Sequence, residues 1–185
     1  MSLLSRLLGG RRAGPEKLSW NLLGLQAPAT IELGSDSFTP GGPLRQPQAG
    51  PLVGDNVSPE LHWTLVPTTT AELVLVLEDP DAPGRRPLVH TVARMEPHVK
   101  AIPAGGLAPK ELPAGVTLVR GTLGNLGYIG PTPPKGHGPH RYVFQLYALD
   151  APLELPRTAG ARSVIRGMRG HVLARARIVG TYERS

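Results

Sequence analysis

Cysteine is absent from this chain. That excludes disulfides and thiolate metal sites and suits a reducing compartment better than secretion, so a cytoplasmic location is expected. Aromatic residues are scarce: two Trp, four Tyr and two Phe among 185 residues. They are too few for a base-stacking platform of the single-strand-binding kind. The excess of 20 Lys plus Arg over 14 Asp plus Glu is therefore not read as a nucleic-acid signature. Its densest part, Arg157, Arg162, Arg166, Arg169, Arg175 and Arg177, reads as a solvated face. No run approaches the ~20 apolar residues that a membrane-spanning helix requires. The Gly-x-Ser-x-Gly elbow, the Walker loop and any Cys nucleophile are also missing. Gly136-His-Gly138 precedes a strand instead of opening a helix, which defeats a dinucleotide-binding reading.

What is abundant is glycine, 23 residues, and proline, 21, placed as punctuation between apolar runs such as 73–77 and 142–149. This pattern rules out a helical bundle and favours short strands joined by long ordered loops. The length suits one domain with a substantial core. Strands are expected at 60–65, 72–79, 88–95, 116–120 and 141–149, a helix at 158–168, and a helical or extended segment at 172–182 that finishes in a strand. Residues 1–30 read as an N-terminal extension with at most a helical turn or two and Trp20 as an anchor, and 31–185 as the domain. The polar, turn-rich stretch 39–59 reads as a surface excursion. Leu3, Leu4, Leu7 and Leu8 form an apolar stripe, and a homodimer is expected from it.

Four polar residues, Asp79, His90, His140 and Tyr142, stand in or at the ends of apolar strands, where an ionisable group is costly unless partnered. Strand alternation puts Leu73, Leu75, Leu77 and Asp79 on one face, and His140, Tyr142, Phe144 and Leu146 on one face of another strand. Two imidazoles and a phenol can donate to a phosphate or sulfate, while Asp79 fixes the tautomer of one imidazole. Pro80, Pro83, Pro131, Pro133 and Pro134 stiffen the flanking loops and favour a preformed pocket; the Ala82–Pro83 bond is open to either isomer. His137 and His140, with Asp79, Asp81 and His90, lack ligand spacing on a helix or hairpin, and no metal site is expected.

Two blocks carry a resemblance. They are Asp79-Pro-Asp-Ala-Pro83 followed by His90, and Tyr128-x-Gly-Pro-x-Pro-Pro-x-Gly-x-Gly-x-His-Arg-Tyr142. With Asn56-Val-Ser-Pro-Glu-Leu-His-Trp63 before them, and Gly170-His-Val-Leu-Ala174 and Gly180-Thr-Tyr182 after them, the chain resembles the phosphatidylethanolamine-binding protein family, also called the Raf kinase inhibitor protein family. The likeness is greatest to its bacterial and archaeal branch. It implies a mainly β fold, a sandwich of antiparallel sheets with peripheral helices, and an anion pocket at Asp79, Pro83, His90, Tyr128, His140 and Tyr142. Asp81, Arg141, Gly130, Pro133 and Pro134 take supporting places, Arg141 as an ion-pair partner of Asp81. The implied role is binding and regulation, with phosphate or phosphoethanolamine as ligand, a kinase or protease as protein partner, and no cofactor. A hydrolase or transferase using His90 and His140 as acid and base is the alternative. Many relatives carry Trp beside the His of the middle strand; here Thr91 follows His90, so one aromatic wall is lost.

Overall fold

The structure, a computed structural model, describes residues 10–184. The leucine stripe at 3–8, and the dimer expectation drawn from it, lie outside them. Eight strands form two antiparallel sheets. The smaller contains β1 (Glu32–Gly34), β2 (Leu61–Thr64) and β5 (Ala101–Ile102) in the order β1-β2-β5. The larger has the order β6-β4-β3-β7-β8, built from β3 (Glu72–Asp79), β4 (Leu88–Met95), β6 (Val116–Val119), β7 (His140–Leu149) and β8 (Val172–Tyr182). A short helix, α1 (Ala161–Gly167), precedes β8.

Every residue of β3 is buried, so the strand reads as a continuous apolar run although its two faces meet different layers. Leu73, Leu75 and Leu77 pack with Phe144, Leu146, Leu61 and Trp63 in the core shared with the small sheet. Val74 and Val76 pack on the other face with Leu25, Leu153, Val164, Ile165 and Met168. Leu25 is fully buried there, so truncating it to Ala costs about 2–5 kcal/mol.

Residues 10–30 of the expected extension belong to that outer layer. Two 3-10 turns, Pro15–Lys17 and Ser19–Asn21, lay the segment across the large sheet. Ser19 donates its backbone N–H and its hydroxyl to the buried Glu78 carboxylate, at 2.8 and 2.7 Å, and Gln145 Nε2 donates to the same oxygen at 2.9 Å. The segment therefore satisfies a charge that the sheet buries.

Three expectations change. Residues 172–182 are strand throughout, because Ala174, Ala176 and Ile178 alternate inward. Arg175 and Arg177 of the supposed solvated face lie over the Trp20 ring, and Arg175 also donates to the carbonyls of Trp20, Leu25 and Ala27. The 39–59 excursion buries Leu44, Ala49 and Ser58 and packs against the loop at 128–131. All peptide bonds in the described residues are trans. Among them, no helix is long and apolar enough to cross a membrane.

Candidate anion-binding site

The register of β3 against β4 explains how His90 reaches the site. Leu73, Leu75 and Leu77 stand opposite Met95, Ala93 and Thr91, so strict alternation would turn His90 to the outer face. Instead Leu77 pairs with Thr91, Glu78 with Val89, and Asp79 with Leu88. His90 is the unpaired extra residue of a β-bulge, a device that re-aims a side chain. Its ring meets the Tyr142 ring edge-on at 5.3 Å between centroids, and its Nε2 lies 4.0 Å from Asp79 Oδ2.

Asp79 divides its carboxylate between two tasks. Oδ1 accepts the backbone N–H groups of Asp81 and Ala82 at 2.7 and 3.0 Å, which closes the Asp-Pro-Asp-Ala-Pro turn. Oδ2 accepts the Nδ1–H of His140 at 2.7 Å, both side chains being almost wholly buried. Asp81 lies behind the turn, chelated by Arg141 at 2.7–2.9 Å and by Arg12 at 2.8 Å. Burial alone would raise its carboxyl, but the bonds from the two guanidinium groups outweigh burial and hold it well below the usual carboxylate range.

The opposite wall is the proline loop. Asn56, in the left-handed region with φ +57°, accepts Gly130 N–H and donates to the Tyr128 carbonyl. Gly130 lies so close to the Gln48 carbonyl that a Cβ there would meet it at 2.1 Å. These parts enclose a cavity of about 280 Å³ whose lining includes Asp79, Pro83, His90, His140, Tyr142, Gly130, Pro133 and Pro134. Ala82, Leu88, Leu123, Ile129 and Thr132 complete it. Concavities of about 510 and 560 Å³ elsewhere are roomier, but the first is lined by the paired Glu72 and Arg94 and the second holds no imidazole or carboxylate.

Tyr128 is not in the lining. Its hydroxyl donates to the Gln48 carbonyl at 2.8 Å, so it braces the loop from behind. Burial pushes its phenol well above the usual range, as burial and then the Asp79 charge do for Tyr142. Both remain neutral donors. Asp81 and Arg141 likewise support the turn without lining the cavity.

The imidazoles differ in what they have free. His90 Nδ1–H donates to the Ile129 carbonyl at 2.9 Å, and its buried Nε2 has no hydrogen-bond partner among the described residues. Complete burial lowers its basicity below the ordinary imidazole range, and the Asp79 charge and the Ile129 bond oppose that only in part. At neutral pH, Nε2 therefore carries a lone pair. His140 has nothing free, because its Nε2 meets His137 Nδ1 at 2.7 Å. Asp79, His140 and His137 thus form one chain of hydrogen bonds, and a ligand reaches His140 Nε2 only by displacing His137. Sequence reasoning weighed His137 only as a metal ligand; its spacing of three from His140 through Gly and Pro carried no signal of this contact. Among the described residues the one trio placed to hold a metal ion is Asp36, Glu60 and His62, outside the cavity lining.

Comparison with known proteins fits this geometry to a family. The family model "Phosphatidylethanolamine-binding protein" matches residues 34–183. A UPF0098 protein of Methanothermobacter thermautotrophicus is 38% identical over 131 residues, covering 71% of this chain and 85% of the relative. A second, UPF0098 protein Mb1945c of Mycobacterium bovis, is 35% identical over 179 residues, covering 94% of this chain and 83% of the relative. That match leaves too little of the chain outside it for the segment before β1 to be excluded. Among solved structures, Escherichia coli YbcL, a member of the mammalian PEBP family, superposes with a TM-score of 0.79 at 27% identity, covering 85% of this chain and all of that one. The bulged histidine, the aspartate-closed turn and the proline loop thus lie within the matched span, and the chain belongs to the phosphatidylethanolamine-binding protein family.

Proposed function

We propose that this protein binds a small phosphoryl-bearing anion, orthophosphate or the phosphoethanolamine of a headgroup, in the cavity floored by His90, and acts by binding and not by turnover. The observation that carries the reading is the buried, unpartnered Nε2 of His90 in a cavity of about 280 Å³ with stiff proline walls. A polar atom in that position is expensive unless a ligand partners it. Because Nε2 bears a lone pair at neutral pH, a bare anion oxygen is repelled and a proton must lie between them. Protonation of His90 supplies that proton, as does a hydroxyl of the phosphoryl group itself. The ammonium of phosphoethanolamine has a natural counter-charge in Asp79. The acid–base alternative finds His140 bonded at both ring nitrogens, to Asp79 and to His137, with neither free for proton transfer to a substrate. Calorimetric titration of orthophosphate into wild type and into a His90→Ala/His140→Ala variant tests the reading. Binding lost in the variant supports it, and equal affinity in both refutes it.

A further inference from the structure

Beside the cavity, and sharing Pro83 with it, is a second concavity of about 460 Å³ lined by Gly10, Arg11, Arg12, Pro83, Gly84 and Arg85. Its charge is of one sign. Arg12 is committed: it donates to Asp81 and to the carbonyls of Pro139 and His137. Arg11 and Arg85 have no hydrogen-bond or ion-pair partner among the described residues, and both are exposed. Asp81, the carboxylate that Arg12 engages, already holds two guanidinium groups. The two free cations are held in place by backbone, because Ala13 and Gly14 N–H donate to the carbonyls of Ala82 and Pro80 at 3.1 and 2.9 Å. Those bonds tie the segment carrying Arg11 to the turn carrying Arg85. A pair of unspent guanidinium groups on tethered backbone beside an anion cavity attracts a second negative group on the same ligand.

We infer that Arg11 and Arg85 form a second anion subsite, and that the ligand is a small molecule with two anionic groups, a phosphoryl group in the cavity and a second phosphoryl or carboxylate group between the two arginines. The inference rests on the reading of the cavity given above and extends it to a ligand class. Arg85 lies inside the span matched by the family model and Arg11 before it, so the subsite joins the N-terminal segment to the turn after β3.

Calorimetry on the full chain compares orthophosphate with pyrophosphate and with the bisphosphates of ethylene glycol and butanediol, in wild type and in an Arg11→Ala/Arg85→Ala variant. Both side chains are exposed and unpartnered, so an unchanged melting temperature is expected of the variant. In wild type at least one bis-anion should bind about tenfold more tightly than orthophosphate, as two exposed charge pairs allow. In the variant that ratio should fall close to one, and in wild type it should shrink with added salt. If orthophosphate binds but no bis-anion binds more tightly, or the advantage survives the double substitution, the subsite is overturned. If orthophosphate and every bis-anion fail to bind, the cavity reading itself falls, and the two failures are distinct.

Discussion

Asp79 and His140 meet at 2.7 Å in a nearly solvent-free contact, and the same aspartate closes the turn that carries Pro83. One carboxylate thereby fixes both the tautomer of an imidazole in the cavity and the shape of the adjoining wall. Asp79→Asn keeps an oxygen for the turn but presents an amide N–H to His140 Nδ1, which forces the other tautomer and reverses the hydrogen bond to His137. Orthophosphate affinity should fall by about tenfold or more, the lower end of what losing an orienting partner costs at metal sites. Parallel titration with phosphoethanolamine separates the roles of Asp79. Loss for both ligands supports orientation, whereas loss for phosphoethanolamine alone assigns Asp79 to the ammonium.

His137 and an anion compete for His140 Nε2. His137→Ala removes the competitor, so the hydroxyl of orthophosphate can donate to the freed Nε2 and binding should tighten several-fold, a gain of about 1 kcal/mol for one hydrogen bond. Weaker binding in His137→Ala would show that His137 belongs to the ligand's own contacts.

Sulfate keeps its charge across the accessible pH range and brings no proton, so its binding requires a proton on His90. Affinity for sulfate should rise as pH falls below the ordinary imidazole value of about 6.5, following a folded-state value that burial has lowered. Without ligand the sign reverses. A depressed imidazole stabilises the fold fully above its unfolded value, and that contribution is lost as pH falls toward the folded one. Urea unfolding at pH 7.5 and 5.5 should therefore show a smaller acid loss in His90→Asn, which keeps a donor for the Ile129 carbonyl, than in wild type.

Glu78 depends on the N-terminal segment. Ser19→Ala removes the hydroxyl donor to its buried carboxylate and should cost about 1–3 kcal/mol by urea denaturation. A cost near zero would mean that Gln145 and the Ser19 backbone suffice.

Much of the sandwich is legible in the sequence because β3 and β7, eight and ten residues long, are dense apolar runs of the kind that strands buried on both faces make. The parity that groups Leu73, Leu75 and Leu77 with Asp79 is carried by single residues and survives folding. β1 and β5, with three and two residues, are too short to show any period. The orientation of His90 is hidden for a different reason. A bulge changes register without changing composition, so the alternation of β4 gives the wrong face for the residue that matters most. The packing of residues 10–30 is hidden because Ser19 and Leu25 have no periodic neighbours, and the partners of Ser19, Glu78 and Gln145, are distant in the chain. Arg12 belongs to the same blind spot, joining the 79–83 turn to the 137–140 loop through contacts that spacing cannot reveal.

The most direct test of the central claim is NMR of the imidazole nitrogens of His90 during titration with orthophosphate at neutral pH. Free protein should show the neutral tautomer, with Nδ1 protonated and Nε2 bare, and added phosphate should shift the Nε2 signal toward the protonated, hydrogen-bonded form in proportion to occupancy. Saturable phosphate binding that leaves the His90 nitrogens unmoved would place the anion elsewhere and contradict the site.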